Sequence, residues 1–203
     1  MTNHVLATEE DGIWTVTLNR PEKANALTSE MLNSLADIAQ AAKEAKALVL
    51  TGNGKVFSAG ADLENVETLA THPGWERLSG HIAAINGLTI AALNGTVAGG
   101  SFGMVLACDL RIAVPGTKFF YPVMKMGVLP QPSDPRRMAK LIGPSRTKKI
   151  LLAAQKIETE AAASWGLVDE IVENEQLMRR AYALTDAMRT ANPSHVREIK
   201  NTV

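Results

Sequence analysis

The chain has 203 residues, 46% of them hydrophobic and 21% charged, which is the composition of an ordinary globular protein of one domain. Lys and Arg together number 21, as do Asp and Glu, so no net charge favours binding to nucleic acid or to an acidic membrane. No apolar run approaches the roughly 18 residues that span a bilayer, and the N-terminus lacks the pattern of a signal peptide. The single cysteine, Cys108, excludes an internal disulfide. We therefore expect a cytoplasmic protein with no membrane or nucleic-acid partner.

The first quarter of the chain has the strand–helix–strand pattern of an α/β protein. Residues 13–18 alternate between apolar and polar, as in a half-buried strand. Thr28 is suited to cap a helix whose apolar residues recur at helical spacing as far as Ala42. The continuous apolar run over residues 47–51 is typical of a parallel strand covered on both faces. This order predicts two parallel strands joined by a right-handed crossover.

A first glycine-rich stretch, residues 51–63, follows that strand. Its Gly-Lys pair suggests a phosphate loop, but Val49 stands where such a loop needs glycine, and no Ser or Thr follows Lys55. Residues 59–62 instead predict a tight backbone turn that opens a short helix. Asp62 is placed to cap that helix or to accept local backbone N–H groups.

A second glycine-rich stretch follows the apolar strand predicted over residues 88–93. The strand stops at the turn signal 94–95, and the glycines of residues 98–101 lead into a helix over 102–108 that is apolar on every side. The first N–H groups of a helix have no partner within it and can hold an anion. The pattern alone leaves two interpretations open: an anion site, or glycines that serve only close packing.

The second half of the chain is mostly helical, with two further strands predicted over residues 109–114 and 167–172. The aromatic cluster 119–121 is expected to line a cavity or a subunit contact. Residues 124–134 contain Gly and Pro and are predicted to be irregular, a place where site residues often occur. Helices are predicted over residues 136–142, 145–154, 160–165, 175–189 and 194–200.

Several motifs appear in the order found in one known family. They are Leu18–Lys23 with Asn25–Leu27, Phe57–Leu63, Asn94–Gly95 with Gly99–Gly100, Cys108–Arg111 and Ala163–Asp169. On these residues the chain resembles the crotonase (enoyl-CoA hydratase/isomerase) superfamily over almost its whole length. The resemblance implies one crotonase-like α/β domain: a spiral of β-β-α units over residues 1–137, then a helical C-terminal region over 138–203, shorter than is usual in the family.

The resemblance also implies the ligand and the assembly. The family binds coenzyme A thioesters with the carbonyl oxygen between two backbone N–H donors, which correspond here to Ala61 and Gly100. Such donors stabilise an enolate, and coenzyme A is part of the substrate, so no separate cofactor and no metal is expected. A homotrimer or a dimer of trimers is implied, and the apolar C-terminal helices and the aromatic cluster 119–121 favour it.

Other positions match those that surround the acyl-CoA in the family. Lys23 corresponds to a contact with the nucleotide phosphates, and a solvated surface lysine is the alternative interpretation. The residues implied to bind substrate are Lys23, Ala24, Ala26, Ala59, Gly60, Asp62, Leu63, Val97, Gly99, Pro122 and Val123.

The family's acid–base groups are missing. Hydration needs two carboxylates, and the two glutamate positions fall on Gly103 and Val123. A third position, the base in some isomerases, falls on Gln131. The nearest ionisable residue is Asp134, which is either a substitute base or the cap of the next helix. We therefore expect an acyl-CoA-binding member of the family with weak hydratase activity, with Gln131 and Asp134 as candidate catalytic groups.

Two other functions fit parts of the sequence. A non-catalytic acyl-CoA binding or carrier protein is favoured by the missing carboxylates. A dinucleotide-dependent oxidoreductase is excluded, because Asn94–Gly95 separates the strand from the glycines and no strand ending in Asp or Glu follows about 20 residues later.

Overall fold

A computed structural model describes residues 4–62, 64 and 66–203 of the chain. Its strands are β1 (Val5–Glu10), β2 (Ile13–Leu18), β3 (Ala47–Gly52), β4 (Val56–Ser58), β5 (Leu88–Leu93), β6 (Thr96–Ala98), β7 (Leu110–Ala113), β8 (Lys118–Phe120), β9 (Ile157–Glu158) and β10 (Glu170–Ile171). Its helices are α1 (Ser29–Ala41), α2 (Val66–Ala70), α3 (Gly74–Ala83), α4 (Phe102–Ala107), α5 (Val123–Met126), α6 (Asp134–Leu151), α7 (Thr159–Trp165), α8 (Leu177–Leu184), α9 (Asp186–Thr190) and α10 (Pro193–Lys200).

The strands form two sheets, and from β3 to β8 the chain alternates between them. One sheet has the order β1-β2-β3-β5-β7-β10 and the other β4-β6-β8-β9. Each successive unit gives one strand to each sheet: β3 and β4, then β5 and β6, then β7 and β8. Within each sheet, the strands of successive units are parallel neighbours. This is the spiral that the sequence predicts for a crotonase-like α/β protein.

Local sequence accounts for the elements of the first unit. The Thr28 hydroxyl accepts the Met31 N–H at 3.2 Å and caps α1, as predicted. Strand β3 is buried at every position, which explains its unbroken apolar sequence. Strands β2 and β3 pair in parallel, in agreement with the predicted crossover.

The main core lies between the two sheets and the helices that cover them. Phe57, Phe102 and Phe119 are fully buried there. All six residues of α4 are buried, so the helix that is apolar on every side lies inside the protein, as the sequence predicts. Cys108, at its end, is also buried, and this burial raises the pKa of its thiol to about 12, so it is not a reactive nucleophile.

The C-terminal segment is not purely helical. Strand β10 lies within the strand predicted over residues 167–172 and pairs with β7, whereas β9, which was not predicted, pairs with β8, so this segment extends both sheets. The predicted boundary between residues 137 and 138 falls inside α6, which begins at Asp134. Within the described ranges, the helices include none long and apolar enough to cross a membrane.

Candidate active site

Two backbone turns lie side by side where β4 and β6 end. These strands are parallel neighbours, with Val56 opposite Thr96 and Ser58 opposite Val97. Their carboxyl ends therefore point the same way and lead into the turn at residues 59–62 and the 3₁₀ turn Gly99–Ser101. Ligands of α/β proteins bind at such ends of parallel strands.

The loop that precedes α1 holds the first turn in place. The buried side chain of Asn25 donates to the carbonyls of Asn53 and Val56 at 2.9 and 2.8 Å. The Ser58 hydroxyl donates to the Asn25 carbonyl, and the Ala59 N–H donates to Ala24. These bonds fix the path of the chain into Ala61.

The N–H of Ala61 is directed away from that loop. Leu27 donates to the Gly60 carbonyl at 2.7 Å and accepts from the Asp62 N–H at 2.9 Å, which forms a parallel bridge centred on Ala61. In such a bridge the polar groups of the central residue point to the opposite side. Ala61 lines a cavity on that side, and its N–H has no hydrogen-bond partner among the described residues.

Gly100, in the second turn, lines the same cavity. Gly100 is the second residue of the 3₁₀ turn that runs directly into α4, so its amide is one of the first, which have no partner within the turn. The Ser101 hydroxyl accepts the Ala98 N–H and donates to the Ala98 carbonyl, which stabilises the turn.

Glycine is required where the two turns touch. Gly60 has a φ of +89°, and a Cβ there would lie 2.6 Å from the Ala98 carbonyl oxygen. A Cβ on Gly100 would lie 2.9 Å from the ring of Trp75. Close packing and a free amide thus occur in the same turn, so the two interpretations of the second glycine-rich stretch are compatible.

The turns form one wall of a cavity of about 480 Å³. Apolar and aromatic side chains make up most of the rest of its wall. The cavity is lined by Lys23, Ala26, Ala59, Ala61, Asp62, Glu64, Leu69, Ala70, Trp75, Ala98, Gly99, Gly100, Phe120, Tyr121, Pro122, Val123, Met126, Val128, Leu129 and Gln131.

Most residues predicted from the sequence line this cavity. Ala24, Gly60 and Val97 lie behind the lining, where they support the turns, and Leu63 lies outside the described residues. Sequence reasoning missed Glu64, Leu69, Ala70 and Trp75, and it noted Met126, Val128 and Leu129 only as part of the stretch 124–134. Of these, only Trp75 carries a signal, as a large aromatic residue at the start of an amphipathic helix.

Both acidic side chains in the described lining have a basic partner. Asp62 pairs with Arg20 and accepts the Glu64 N–H at 3.0 Å, which is the local backbone contact that the sequence predicts. The Arg20 guanidinium, and then this N–H, lower the pKa of Asp62. Exposed Glu64 accepts from the Lys23 ammonium at 3.0 Å. Both carboxylates are therefore engaged by a basic group.

Asp134 lies behind the cavity wall and is fully buried. Its Oδ2 accepts the Tyr121 hydroxyl at 2.9 Å, whereas its Oδ1 is buried without a partner in the described chain. The interpretation of Asp134 as a helix cap is wrong: α6 does begin there, but Ser133 holds the cap position and no helix N–H bonds to the Asp134 side chain. The carboxylate turns inward because Gly103 leaves room for it.

Gln131 and the aromatic cluster are also located by the structure. Gln131 lines the cavity, and its side-chain amide donates to the Ala70 carbonyl at 3.3 Å. Phe119 is buried in the core, while Phe120 and Tyr121 line the cavity, so of the two expectations for this cluster the structure supports the cavity. The Tyr121 ring stacks on Phe102 with centroids 5.4 Å apart.

Comparison with known proteins agrees with the fold. The model of the enoyl-CoA hydratase/isomerase family matches residues 8–203. The chain therefore belongs to this family, and its fold is the crotonase fold.

Relatives and solved structures match over nearly the whole chain. A protein of Mycobacterium leprae named as a probable enoyl-CoA hydratase is 33% identical over 198 residues, which are 93% of this chain and 76% of that protein. A short-chain-enoyl-CoA hydratase of Clostridium acetobutylicum is 29% identical, over 99% of this chain and 81% of its own. The crystal structure of an enoyl-CoA hydratase from Bacillus anthracis has a TM-score of 0.91 at 25% identity, covering 98% of this chain and 81% of that one.

Proposed function

We propose that the protein binds acyl-CoA thioesters and stabilises their enolate form between the N–H groups of Ala61 and Gly100. One observation carries the proposal: both amides belong to the wall of one cavity, and neither has a partner within its own turn. Removing a proton beside a thioester carbonyl puts negative charge on the carbonyl oxygen, and two preorganised donors offset it. In comparable sites the loss of one donor costs roughly 3–4 kcal/mol.

The shape and polarity of the cavity fit such a ligand. Its wall is mostly apolar, which suits an acyl chain and the pantetheine arm, and its volume of about 480 Å³ is within the usual range for small-molecule sites. Exposed Lys23 is available to a phosphate group at the open side, where Glu64 is its present partner. The names of the relatives, enoyl-CoA hydratases, support the same substrate class.

We further propose that the protein assembles as a trimer or a dimer of trimers.

Efficient hydration is not part of the proposal. Gly103, Val123 and Gln131 stand where the family resemblance places the catalytic acids, and none of them transfers a proton. The two acidic residues in the described lining are held by Arg20 and Lys23. Each missing acid or base is worth about 10²- to 10⁴-fold in rate. We therefore infer slow hydration despite intact binding.

The same pairing of the lining carboxylates favours a second candidate function, a non-catalytic acyl-CoA binding or carrier protein. Such a protein uses the two N–H donors to hold the thioester carbonyl and transfers no proton. The two functions differ in whether a bound acyl-CoA exchanges hydrogen with water.

Calorimetry with crotonyl-CoA and with free crotonate tests the proposed function. We expect crotonyl-CoA to bind at least about tenfold more tightly, a difference of about 1.4 kcal/mol, because crotonate lacks the pantetheine and the nucleotide. Equal affinities for crotonyl-CoA and crotonate would contradict the proposed binding of acyl-CoA thioesters.

Loss of the ultraviolet absorbance of crotonyl-CoA measures hydration in the same samples. We expect a rate several orders of magnitude below that of a family hydratase that has both glutamates, since two acid–base groups are absent. Turnover as fast as that of such a hydratase contradicts the inference.

A further inference from the structure

A buried carboxyl group lies next to the cavity and takes no part in the binding just proposed. Asp134 is fully buried, yet only one of its oxygens has a donor among the described residues. Buried polar atoms without partners are rare in folded proteins because they lose their hydration without replacement. Here the unpaired atom is a carboxylate oxygen, for which the loss is largest.

Tyr121 connects this carboxyl group to the cavity. Its hydroxyl donates to Asp134 Oδ2 at 2.9 Å and accepts the Gln131 N–H at 3.3 Å. Both Tyr121 and Gln131 line the cavity, so the hydroxyl joins two lining residues to the buried carboxyl group. Phe102 stacks against the Tyr121 ring and fixes its orientation.

Asp134 also lies close to the proposed enolate site. A Cβ on Gly103 would be 3.2 Å from Asp134 Oδ1, so the carboxyl group packs against the backbone of Gly103. Gly103 follows Gly100 by three residues in the helical segment, about one turn or roughly 5 Å along it. Any side chain at position 103 would press on the carboxyl group.

We propose that Tyr121 is the catalytic acid–base residue of this cavity, and that Asp134 is its positioning residue. Asp134 accepts the hydrogen bond of the Tyr121 hydroxyl, and takes up and returns the proton of that hydroxyl. The proposal rests on the function proposed above, because the proton concerned is the one beside the thioester carbonyl. It departs from the expectation that Asp134 itself meets the substrate, since Asp134 does not line the cavity.

The step is a proton transfer with no other reactant. The C–H bond beside the carbonyl breaks, and its proton passes to the Tyr121 oxygen as the Tyr121 hydroxyl proton passes to Asp134 Oδ2. The bonding pair becomes the C=C bond of the enolate, and the charge moves to the thioester oxygen between Ala61 and Gly100. The reverse transfer returns a proton to carbon and restores the Asp134 carboxylate.

The groups around Asp134 set the pH at which this step can run. Burial raises the pKa of Asp134 to about 7; the Tyr121 hydrogen bond lowers it, the Glu76 carboxylate on α3 raises it, and Arg137 on α6 lowers it. Gly103, on α4, contributes no charge. Burial and the Asp134 charge also raise the pKa of Tyr121, so the phenol stays neutral and acts only as part of the pair.

Hydrogen exchange of butyryl-CoA in deuterated water tests the proposal. Butyryl-CoA has no double bond to hydrate, so incorporation of deuterium beside the carbonyl reports proton transfer alone. We expect the wild-type protein to catalyse this exchange, and Tyr121→Phe and Asp134→Asn to slow it by about 10²- to 10⁴-fold. The Kd for butyryl-CoA, measured by calorimetry, should change by less than about threefold, because neither side chain supplies an oxyanion donor.

Matched controls separate the pair from general effects of substitution. Tyr182→Phe removes the other tyrosine hydroxyl, which bonds Thr15 far from the cavity, and Asp186→Asn removes an exposed carboxylate. Both variants should exchange butyryl-CoA at the wild-type rate.

The pH profile of the wild-type protein needs no variant and tests the role of Asp134 directly. The exchange rate at low substrate should rise with pH to a plateau, with an inflection near 7, because the pair accepts a proton only when Asp134 is ionised. In Asp134→Asn the inflection should disappear from the residual rate.

Three results overturn the proposal. The first is binding of butyryl-CoA without exchange in the wild type, which leaves the binding function intact. The second is wild-type exchange by folded Tyr121→Phe. The third is a wild-type profile without an inflection near 7, which decides the matter even if a variant fails to fold. Absence of binding by the wild type removes the proposed function and this proposal with it.

Discussion

At the scale of single residues, the Asp134 carboxyl group links the stability of the protein to pH. Its pKa rises from 3.8 to about 7 on folding, chiefly because burial disfavours the charged form. A carboxyl group with a raised pKa stabilises the fold fully below its unfolded pKa, and this contribution is lost as the pH rises through the folded value. From pH 5 to pH 8 the loss is on the order of 3 kcal/mol.

Urea unfolding of the wild-type protein and of Asp134→Asn at pH 5 and pH 8 measures this contribution. The free energy of unfolding of the wild type should fall by about 3 kcal/mol more than that of the variant, because the amide of the variant cannot ionise. The other titrating groups are common to both proteins and cancel in the comparison. The same pH dependence in both proteins contradicts the expectation.

Residue patterns predicted part of the site and failed at the Tyr121–Asp134 pair. Ala61 and Gly100 were predicted from the family resemblance, and each lies in a glycine-rich turn that the residue pattern also singles out. Asp134 could be noted as the nearest ionisable group, but its partner could not, since Tyr121 lies in the loop after β8, 13 positions before Asp134. The role of Gly103 as space for that carboxyl group depends on the packing of α4 against α6, which no local pattern reports.

At the scale of elements, the contact between the turns after β4 and β6 positions the two N–H donors. Gly60→Ala tests this contact. Its Cβ would lie 2.6 Å from the Ala98 carbonyl oxygen at a φ of +89°, so the turns must separate. We expect a loss of roughly 1–3 kcal/mol of stability from the strained backbone and a clear rise in the Kd for crotonyl-CoA.

Gly116→Ala is the matched control for that substitution. Gly116 also has a positive φ, +74°, but a Cβ there meets nothing within 4 Å. This variant should lose stability in chemical denaturation yet bind crotonyl-CoA like the wild type in calorimetry. Wild-type affinity in Gly60→Ala shows that the contact does not position the donors.

Elements with a strong local pattern were predicted, and those that depend on distant partners were not. The alternation in β2, the cap of α1 and the buried run of β3 each carry their own signal and are confirmed. The predicted break between two helices near residue 143 is also real, because Gly143 has non-helical backbone angles inside α6. Strand β9 has only two residues, too few for any periodicity, and exists because β8 offers a free edge.

At the scale of the whole molecule, the structure changes the argument for a trimer. The aromatic cluster no longer supports it, since Phe119 and Tyr121 are buried within the chain. Apolar residues near α5 and α6 support it instead: Met124 is 63% exposed, Leu129 85% and Leu152 61%. Exposed apolar residues grouped in this way are typical of a contact between proteins.

Multi-angle light scattering at micromolar concentration tests the assembly. We expect a mass three or six times the 21.7 kDa of a single chain, because burying these residues removes apolar surface from water. Leu129→Glu, and in a separate variant Leu152→Glu, should shift the mass towards the monomer by placing a charge in the contact. Leu6→Glu is the control: Leu6 is an exposed apolar residue on the edge strand β1, 38% accessible, and its replacement should leave the mass unchanged. A monomeric wild type rules out the trimer. Equal effects of all three substitutions place the contact elsewhere on the surface.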